Sequence, residues 1–313
     1  MKKLCLLVNP SSGKGLAQRE VYTVVERFYT QGWITTVVPL AVEPDGMQML
    51  GERIQDFDMV ICCGGDGTLN HAVNDFMGLP HPPVLGYLPM GTTNDFANTL
   101  RYSSGTAVNC QLLHKGRTAG LDVGRFCGDK YFCYIAAFGA FTEVSYSTPQ
   151  LMKNSLGHAA YVLEGIRHLP INTSIHARVI TDSETVEGDF IYGSLSNSTS
   201  IGGFPSPIGD QVVLDDGLFE MLLISAPKNL ADLNGLVASL AQHDFSNPYI
   251  RLIRTTRAQL EFEEAVSFTL DGEFGGAVRT AQLEVLPRAI QMRLPAQAPL
   301  SGPQTPALPA ETK

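Results

Sequence analysis

The stretch "FDMVICCGGDGTLNHAVNDF", residues 57 to 76, decides the fold. Its first part, "DMVICC", is a short apolar run, the composition of a strand buried on both faces. Its last part, continuing as "LNHAVNDFMGL", has the spacing of a helix. Between them stand Gly64, Gly65, Asp66 and Gly67. Where a buried strand gives way to a helix, the helix N-terminus presents backbone N–H groups and a partial positive charge, which suits a phosphate. Glycines let the backbone approach an anion closely. Thr68 can cap the helix or donate to a phosphate oxygen. A carboxylate at Asp66 makes sense beside a polyphosphate chiefly where a magnesium ion or a proton transfer is involved. Taken alone, the same stretch reads equally as a plain glycine-rich turn with Asp66 as the helix N-cap.

The flanking segments repeat the pattern. "KLCLLVNP" and "WITTVVPL" read as strands around the helical "GLAQREVYTVVERFYTQG", "DGMQMLGERIQDF" as a helix, and "PVLGYLP" as the fourth strand. Strand–helix alternation with apolar strands predicts a parallel sheet covered on both faces over residues 1–125. After the first strand comes "NPSSGKG", residues 9 to 15, with Ser11, Ser12, Gly13 and Lys14; it lacks the glycine and hydroxyl spacing of a Walker A loop. After the fourth comes "LPMGTTNDFA", residues 88 to 97, with Gly91, Thr92, Thr93, Asn94 and Asp95. Three polar, glycine-containing turns at strand ends of one sheet predict a single crevice.

From residue 126 the rhythm becomes antiparallel. "KYFCYIAAFGAF", "NTSIHARVITD", "ETVEGDFIYGSLSNS", "LFEMLLIS", "RAQLEFE", "AVSFTLDGE", "AQLEVLP" and "AIQMRLP" read as strands. Helical segments are predicted near 157–168 and 229–242. The expected domains are 1–125, a β-rich 126–296, and a disordered Pro-rich tail over 297–313.

The 313 residues are 44% hydrophobic and 17% charged, which fits a globular protein. A net charge of −9 argues against a nucleic-acid binder. Six cysteines form no CxxC pair and give no zinc site; those in apolar runs read as small core residues. The longest apolar run falls well short of the ~20 residues of a membrane helix. With no signal peptide and free thiols, the expected location is cytoplasmic.

"NPSSGKG", "GGDGTLNHAVN" and "LPMGTTNDFA", in this order and spacing, resemble the diacylglycerol kinase catalytic domain of bacterial lipid kinases, a superfamily that includes sphingosine and ceramide kinases. The resemblance continues through "GLDVGR" at 120, "AAFGAFTEV" at 136, "LGHAAYVLEGIRHL" at 156, "GSLSNSTSIGG" at 193, "LDDGLFEMLLI" at 214 and "TLDGE" at 269, covering about residues 1 to 295. It implies a doubly wound α/β domain like those of NAD kinases and phosphofructokinases, followed by an antiparallel β-sandwich-like domain, with ATP in the cleft between them. Asn9, Ser11, Gly64, Gly65, Gly67, Thr68 and Thr93 would contact ATP. Magnesium would lie near Asp216, with Asp215 the lesser candidate, linked through water to Asp66, Asp95 and Asp122. Four carboxylates in separate motifs also call for a compensating hard cation. On its own, Asp215–Asp216–Gly217 reads as a hairpin turn.

By the same resemblance Asp271 is the general base and Glu273 its magnesium-binding or orienting partner. A competing assignment, used for sphingosine kinases, makes Asp66 the base. The family commonly has three glycines after the "SN" segment, where this chain has Phe204 in the third place, which bears on acceptor preference. A membrane lipid alcohol such as diacylglycerol is the implied acceptor, with peripheral contact at the inner membrane face. Lys153, Arg167 and His168, or Arg251, Arg254 and Arg257, are the docking candidates, and the latter read equally as a solvated charged edge. A homodimer is expected only by analogy. A soluble kinase of NAD or a sugar phosphate, and a non-catalytic nucleotide-binding regulator, are the rival readings.

Overall fold

A computed structural model describes residues 2–40, 50–139, 174–201, 204–205, 212–242 and 244–301. The chain divides into two units. The first comprises Met1–Asp122, Val213–Asp216 and Pro287–Lys313, and the second Val123–Val212 and Gly217–Leu286. Two short segments inside the expected 126–296 domain, 213–216 and 287–296, group with the first unit.

In the first unit, β1 (Lys2–Val8), β2 (Trp33–Pro39), β3 (Met59–Gly64) and β4 (Val84–Pro89) form a parallel sheet. β1 lies between β2 and β3, and β3 pairs β4. The last part of the long strand β15 (Glu273–Leu294) adds to β4, also parallel, through Met292 and Arg293. Helices α1 (Leu16–Tyr29), α2 (Asp66–Met77), α3 (Asp95–Thr99) and α4 (Thr106–Lys115) complete the unit. All six residues of β3 are buried, as the apolar run predicts for a central strand. Leu4, Leu6, Ile61, Cys63 and Leu88 pack with Val24 and Phe28 of α1 and Leu113 of α4. Because the strands are parallel, the turns after β1, β3 and β4 leave the sheet at the same edge.

Of the segment 297–313, expected as a disordered tail, residues 297–301 are packed, with Ala298 0% and Leu300 4% exposed, and the rest lies outside the described residues. The backbone N–H of Leu214 donates to the Pro299 carbonyl. Asp215 accepts from the Ser301 N–H at 2.6 Å and its hydroxyl at 2.7 Å. A Pro-rich composition sets no limit on docking once two apolar side chains have a buried place to go.

The second unit is antiparallel. It contains β7 (Ile135–Gly139), β8 (Ile175–Thr181), β9 (Thr185–Ser196), β12 (Phe219–Ser225), β13 (Ile250–Thr255), β14 (Arg257–Leu270) and the first part of β15. Shorter strands β5 (Arg117–Phe126), which begins in the first unit, β6 (Lys130–Phe132), β10 (Ser200–Ile201) and β11 (Phe204–Pro205) complete the set. β7 and β8 each pair with both β9 and β14 at different levels. Phe126, Phe132, Phe138, Phe190, Phe219, Phe262 and Phe268 build the core. The segments "RAQLEFE" and "AVSFT" form one strand with an irregularity between Glu261 and Val266. "AQLEVLP" and "AIQMRLP" likewise join in β15, across Pro287. Helix α5 (Leu230–Ala241) starts where predicted, capped by Asn229, whose side chain accepts from the Asp232 N–H. The predicted helix at 157–168, with Lys153, Arg167 and His168, lies outside the described residues.

Candidate nucleotide site and catalytic carboxylates

The three turns at the edge of the parallel sheet are fastened to one another. The Asn9 N–H donates to the Cys63 carbonyl at 3.1 Å, and the Met90 N–H to the Gly64 carbonyl at 2.7 Å. The Asn9 side-chain amide donates to the Thr68 hydroxyl at 3.0 Å, while its carbonyl accepts from the Ser11 N–H at 3.1 Å. Gly65 and Gly91 touch backbone to backbone: a Cβ on Gly91 would lie 2.5 Å from the Gly65 Cα and 2.6 Å from the Asn94 side-chain oxygen. Glycine is needed here because the two turns approach too closely for any side chain. The turns thus meet in one place, as their positions in the sequence predict.

Gly65 holds the N-cap of α2, where no side chain caps the helix, so its positive end faces the turns. Ser11, Thr92 and Thr93 are exposed beside it, whereas Thr68 is buried. Thr68 already accepts from Asn9, which leaves its own O–H to donate.

Asp66 has a structural task. Its carboxylate accepts from the N–H of Asp95 at 2.9 Å and of Phe96 at 3.3 Å, capping α3. Asn94, whose role the sequence reading missed, sits in the left-handed region at φ 55°. It clamps the turn by accepting from the Gly91 N–H at 2.9 Å and donating to its carbonyl at 2.8 Å. The signal was present: asparagine is among the few residues that occupy that conformation readily.

The five expected metal ligands are not gathered. Asp122 is 3% exposed and accepts from the Arg288 N–H at 2.8 Å, fixing the returning segment of β15. Asp215 is held by Ser301 and lies 3.6 Å from the Arg288 guanidinium. Asp95 is 3% exposed, and only Asp216 of the set is exposed. Among the described residues no three His, Cys, Asp or Glu side chains cluster to hold a metal. Among the described residues these aspartates form no cage of direct ligands, and the expected arrangement linked Asp66, Asp95 and Asp122 to the metal only through water. An all-oxygen donor set with one exposed carboxylate does fit a hard cation that keeps water and phosphate ligands. The Asp215–Asp216–Gly217 turn precedes β12 and is not a two-residue hairpin.

Asp271 lies in the second unit. Asp271 and Gly272 have φ of 51° and 90° and join β14 to β15, with Leu270 opposite Glu273. This is the Asp-Gly hairpin that the dipeptide predicts. An ordinary hairpin tip is wet, yet Asp271 is 2% exposed. Its carboxylate accepts three backbone N–H groups, from Cys133 at 2.6 Å and from Tyr134 and Ile135 at 3.0 Å each. Glu273 is exposed. Around the turn, Ser196, Asn197, Ser198 and Thr269 are buried and polar.

Burial pushes the thiols of Cys5, Cys62 and Cys110 up to about 12, and Cys63 well above its ordinary value, so these cysteines are core residues, not nucleophiles. The basic trio is neutralised. Arg251 pairs with Glu184, Arg254 with the buried Glu220 at 3.3 Å, and Arg257 with Asp182 at 2.9 Å. No helix among the described residues is long and apolar enough to cross a membrane.

Comparison with known proteins settles the family. The diacylglycerol kinase catalytic domain profile matches residues 3–126, and the YegS C-terminal NAD kinase beta sandwich-like domain matches residues 137–294. A diacylglycerol kinase from Bacillus subtilis is 30% identical over 285 residues, 88% of this chain and 91% of that protein. The chain belongs to the diacylglycerol kinase family. Another family member, the diacylglycerol kinase of Staphylococcus carnosus, is 31% identical over 278 residues, 88% of this chain and 90% of the other. A crystal structure of a diacylglycerol kinase from Bacillus anthracis shares the fold at a TM-score of 0.76 and 23% identity, covering 94% of this chain and 97% of its own. A second structure from that organism reaches 0.80 at 24% identity, with 94% and 95% covered.

Proposed function

We propose that this diacylglycerol kinase family member transfers the γ-phosphate of ATP to the hydroxyl of diacylglycerol or a similar long-chain membrane alcohol. The meeting of the three turns at the positive end of α2 carries the reading, because it is a cradle for a polyphosphate. Asn9, Ser11, Gly64, Gly65, Gly67, Thr68 and Thr93 are the residues we assign to ATP. The acceptor oxygen bonds to the γ-phosphorus as the bond to the bridging oxygen breaks, and ADP leaves. The hydroxyl proton passes to the Asp271 carboxylate, with Glu273 as the orienting neighbour. Asp271 is preferred to Asp66 because Asp66 serves the turn that caps α3, whereas Asp271 stands at a hairpin tip yet is 2% exposed and held by three backbone N–H groups, more fixing of the carboxylate than the hairpin itself requires. Magnesium, bound by the nucleotide's phosphates and water with Asp216 as the protein donor, would offset charge on the γ-phosphate. Contact with the membrane is peripheral, at its inner face.

Labelled ATP offered with diacylglycerol in mixed micelles should yield a chloroform-soluble phosphorylated product, and chelation of magnesium should stop its formation. Label confined to an aqueous product would replace this reading with a soluble kinase. Binding of ATP with no transfer to any acceptor would replace it with a regulator.

A further inference from the structure

The carboxamide of Asn197 is buried without a partner. The residue is 1% exposed, and neither its oxygen nor its nitrogen makes a hydrogen bond. Leaving an amide so placed is costly, and the great majority of buried polar groups in folded proteins are paired. Its backbone is firmly fixed. The Asn197 N–H donates to the Tyr134 carbonyl at 2.9 Å, and the Tyr134 N–H donates in turn to the Asp271 carboxylate at 3.0 Å. One residue earlier, Ser196 pairs in register with Ile135, which also donates to Asp271. Asn197 and Asp271 therefore both bond Tyr134, on either side of its backbone.

The surroundings indicate what would pair with it. Asn197 follows directly on β9, two residues beyond Leu195, which lies in the phenylalanine-rich core. β9 ends at Ser196, so the buried amide stands just beyond the end of a strand that contributes Leu195 to the apolar core. A neutral group that both donates and accepts matches a hydroxyl or an ester carbonyl and is a poor match for a polyanion. A polar group at the margin of an apolar surface suits a molecule with a small polar head and hydrocarbon chains.

We propose that Asn197 is an acceptor-binding residue whose carboxamide hydrogen-bonds the glycerol hydroxyl or adjoining ester carbonyl of the lipid beside Asp271. This rests on the lipid-kinase reading above. The experiment is steady-state kinetics on the full chain with dioctanoylglycerol in mixed micelles, comparing wild type with Asn197→Leu and Asn197→Ala. The KM for dioctanoylglycerol should rise ~10-fold in both variants, the loss of about one well-made hydrogen bond, while the KM for ATP stays as it was. The thermal midpoint of Asn197→Leu should hold or rise, because an unpaired amide is replaced by an apolar side chain of similar size. An unchanged dioctanoylglycerol KM, or a changed ATP KM, overturns the assignment. If Asn197→Leu does not fold, the same pair of constants in Asn197→Ala decides. Wild type that phosphorylates only a water-soluble acceptor overturns the lipid reading and this one together, and does so before any substitution is made.

Discussion

Asp66 in the α/β unit and Asp271 in the β-rich unit both turn their carboxylates toward backbone N–H groups, but those groups belong to different kinds of structure. Asp66 reaches across to the next turn and caps a five-residue helix with two bonds. Asp271 folds back onto the lead-in to β7 and takes three bonds while almost wholly buried. The first arrangement explains itself, since capping a helix is reason enough to keep an aspartate. The second exceeds what a two-residue hairpin requires. On the function proposed above, Asp66 would shape the nucleotide site and Asp271 would act in it.

Paired substitutions break or sharpen that contrast. Asp271→Asn should lower kcat ~10²- to 10⁴-fold, the range for loss of a general base, with the KM for ATP little changed. Asp66→Asn keeps one acceptor oxygen and turns the other into a donor, so one of the two capping bonds is lost; it should weaken ATP binding a few-fold and lower the thermal midpoint slightly while sparing more of kcat. Near-normal turnover in Asp271→Asn together with its loss in Asp66→Asn would exchange the two roles. An effect confined to nucleotide binding is expected one step removed from the carboxylates. Gly91→Ala sets a methyl 2.5 Å from the Gly65 backbone, where it must push two turns apart. Overpacking of ~1–3 kcal/mol should raise the KM for ATP about 10-fold, with kcat at saturating ATP much less affected. Unchanged ATP affinity, measured by calorimetry, would mean that the turns do not cradle the nucleotide.

Much of the first unit was legible because its signals are local. A run such as "DMVICC" has one stable use, between two layers, and glycines at strand ends report close backbone approach directly. The hairpin at Asp271–Gly272 was legible for the same reason. What escaped were the long-range uses of polar residues. Nothing in "TTND" tells that Asn94 clamps Gly91, or in "GLDVG" that Asp122 holds the N–H of Arg288, 166 residues away. The resemblance offered five aspartates for the metal, with Asp215 the lesser candidate. Only the structure shows that Asp66, Asp122 and Asp215 are engaged in fixing backbone and that Asp95 is buried, so that Asp216 is the exposed one of the five. The grouping of 213–216 and 287–313 with the first unit was not legible, because it rests on such long-range links as the Leu214 N–H to the Pro299 carbonyl and on the burial of Leu300.

A third carboxylate extends the comparison to a case with stability alone at stake. Asp182, in the turn after β8, accepts from the Thr256 hydroxyl at 2.6 Å and N–H at 2.8 Å, and from Arg257 at 2.9 Å. The Thr256 hydroxyl bond is the main cause that lowers it from 3.8 to about 2. Because the folded value is depressed, the stabilisation is complete above the unfolded value, near pH 4, and is lost as the pH falls through 2. The side chain is a third exposed, so solvent screening keeps the effect below ~1 kcal/mol. Asp182→Asn should therefore be slightly less stable than wild type at pH 5 to 7. That gap should close between about pH 4 and 2, as followed by urea unfolding and far-UV circular dichroism. A gap that stayed constant down to pH 2 would show that the hydrogen bonds, and not the charge they hold, stabilise the turn. Turnover at pH 7 should be the same in both proteins, which is where Asp182 parts from Asp66 and Asp271.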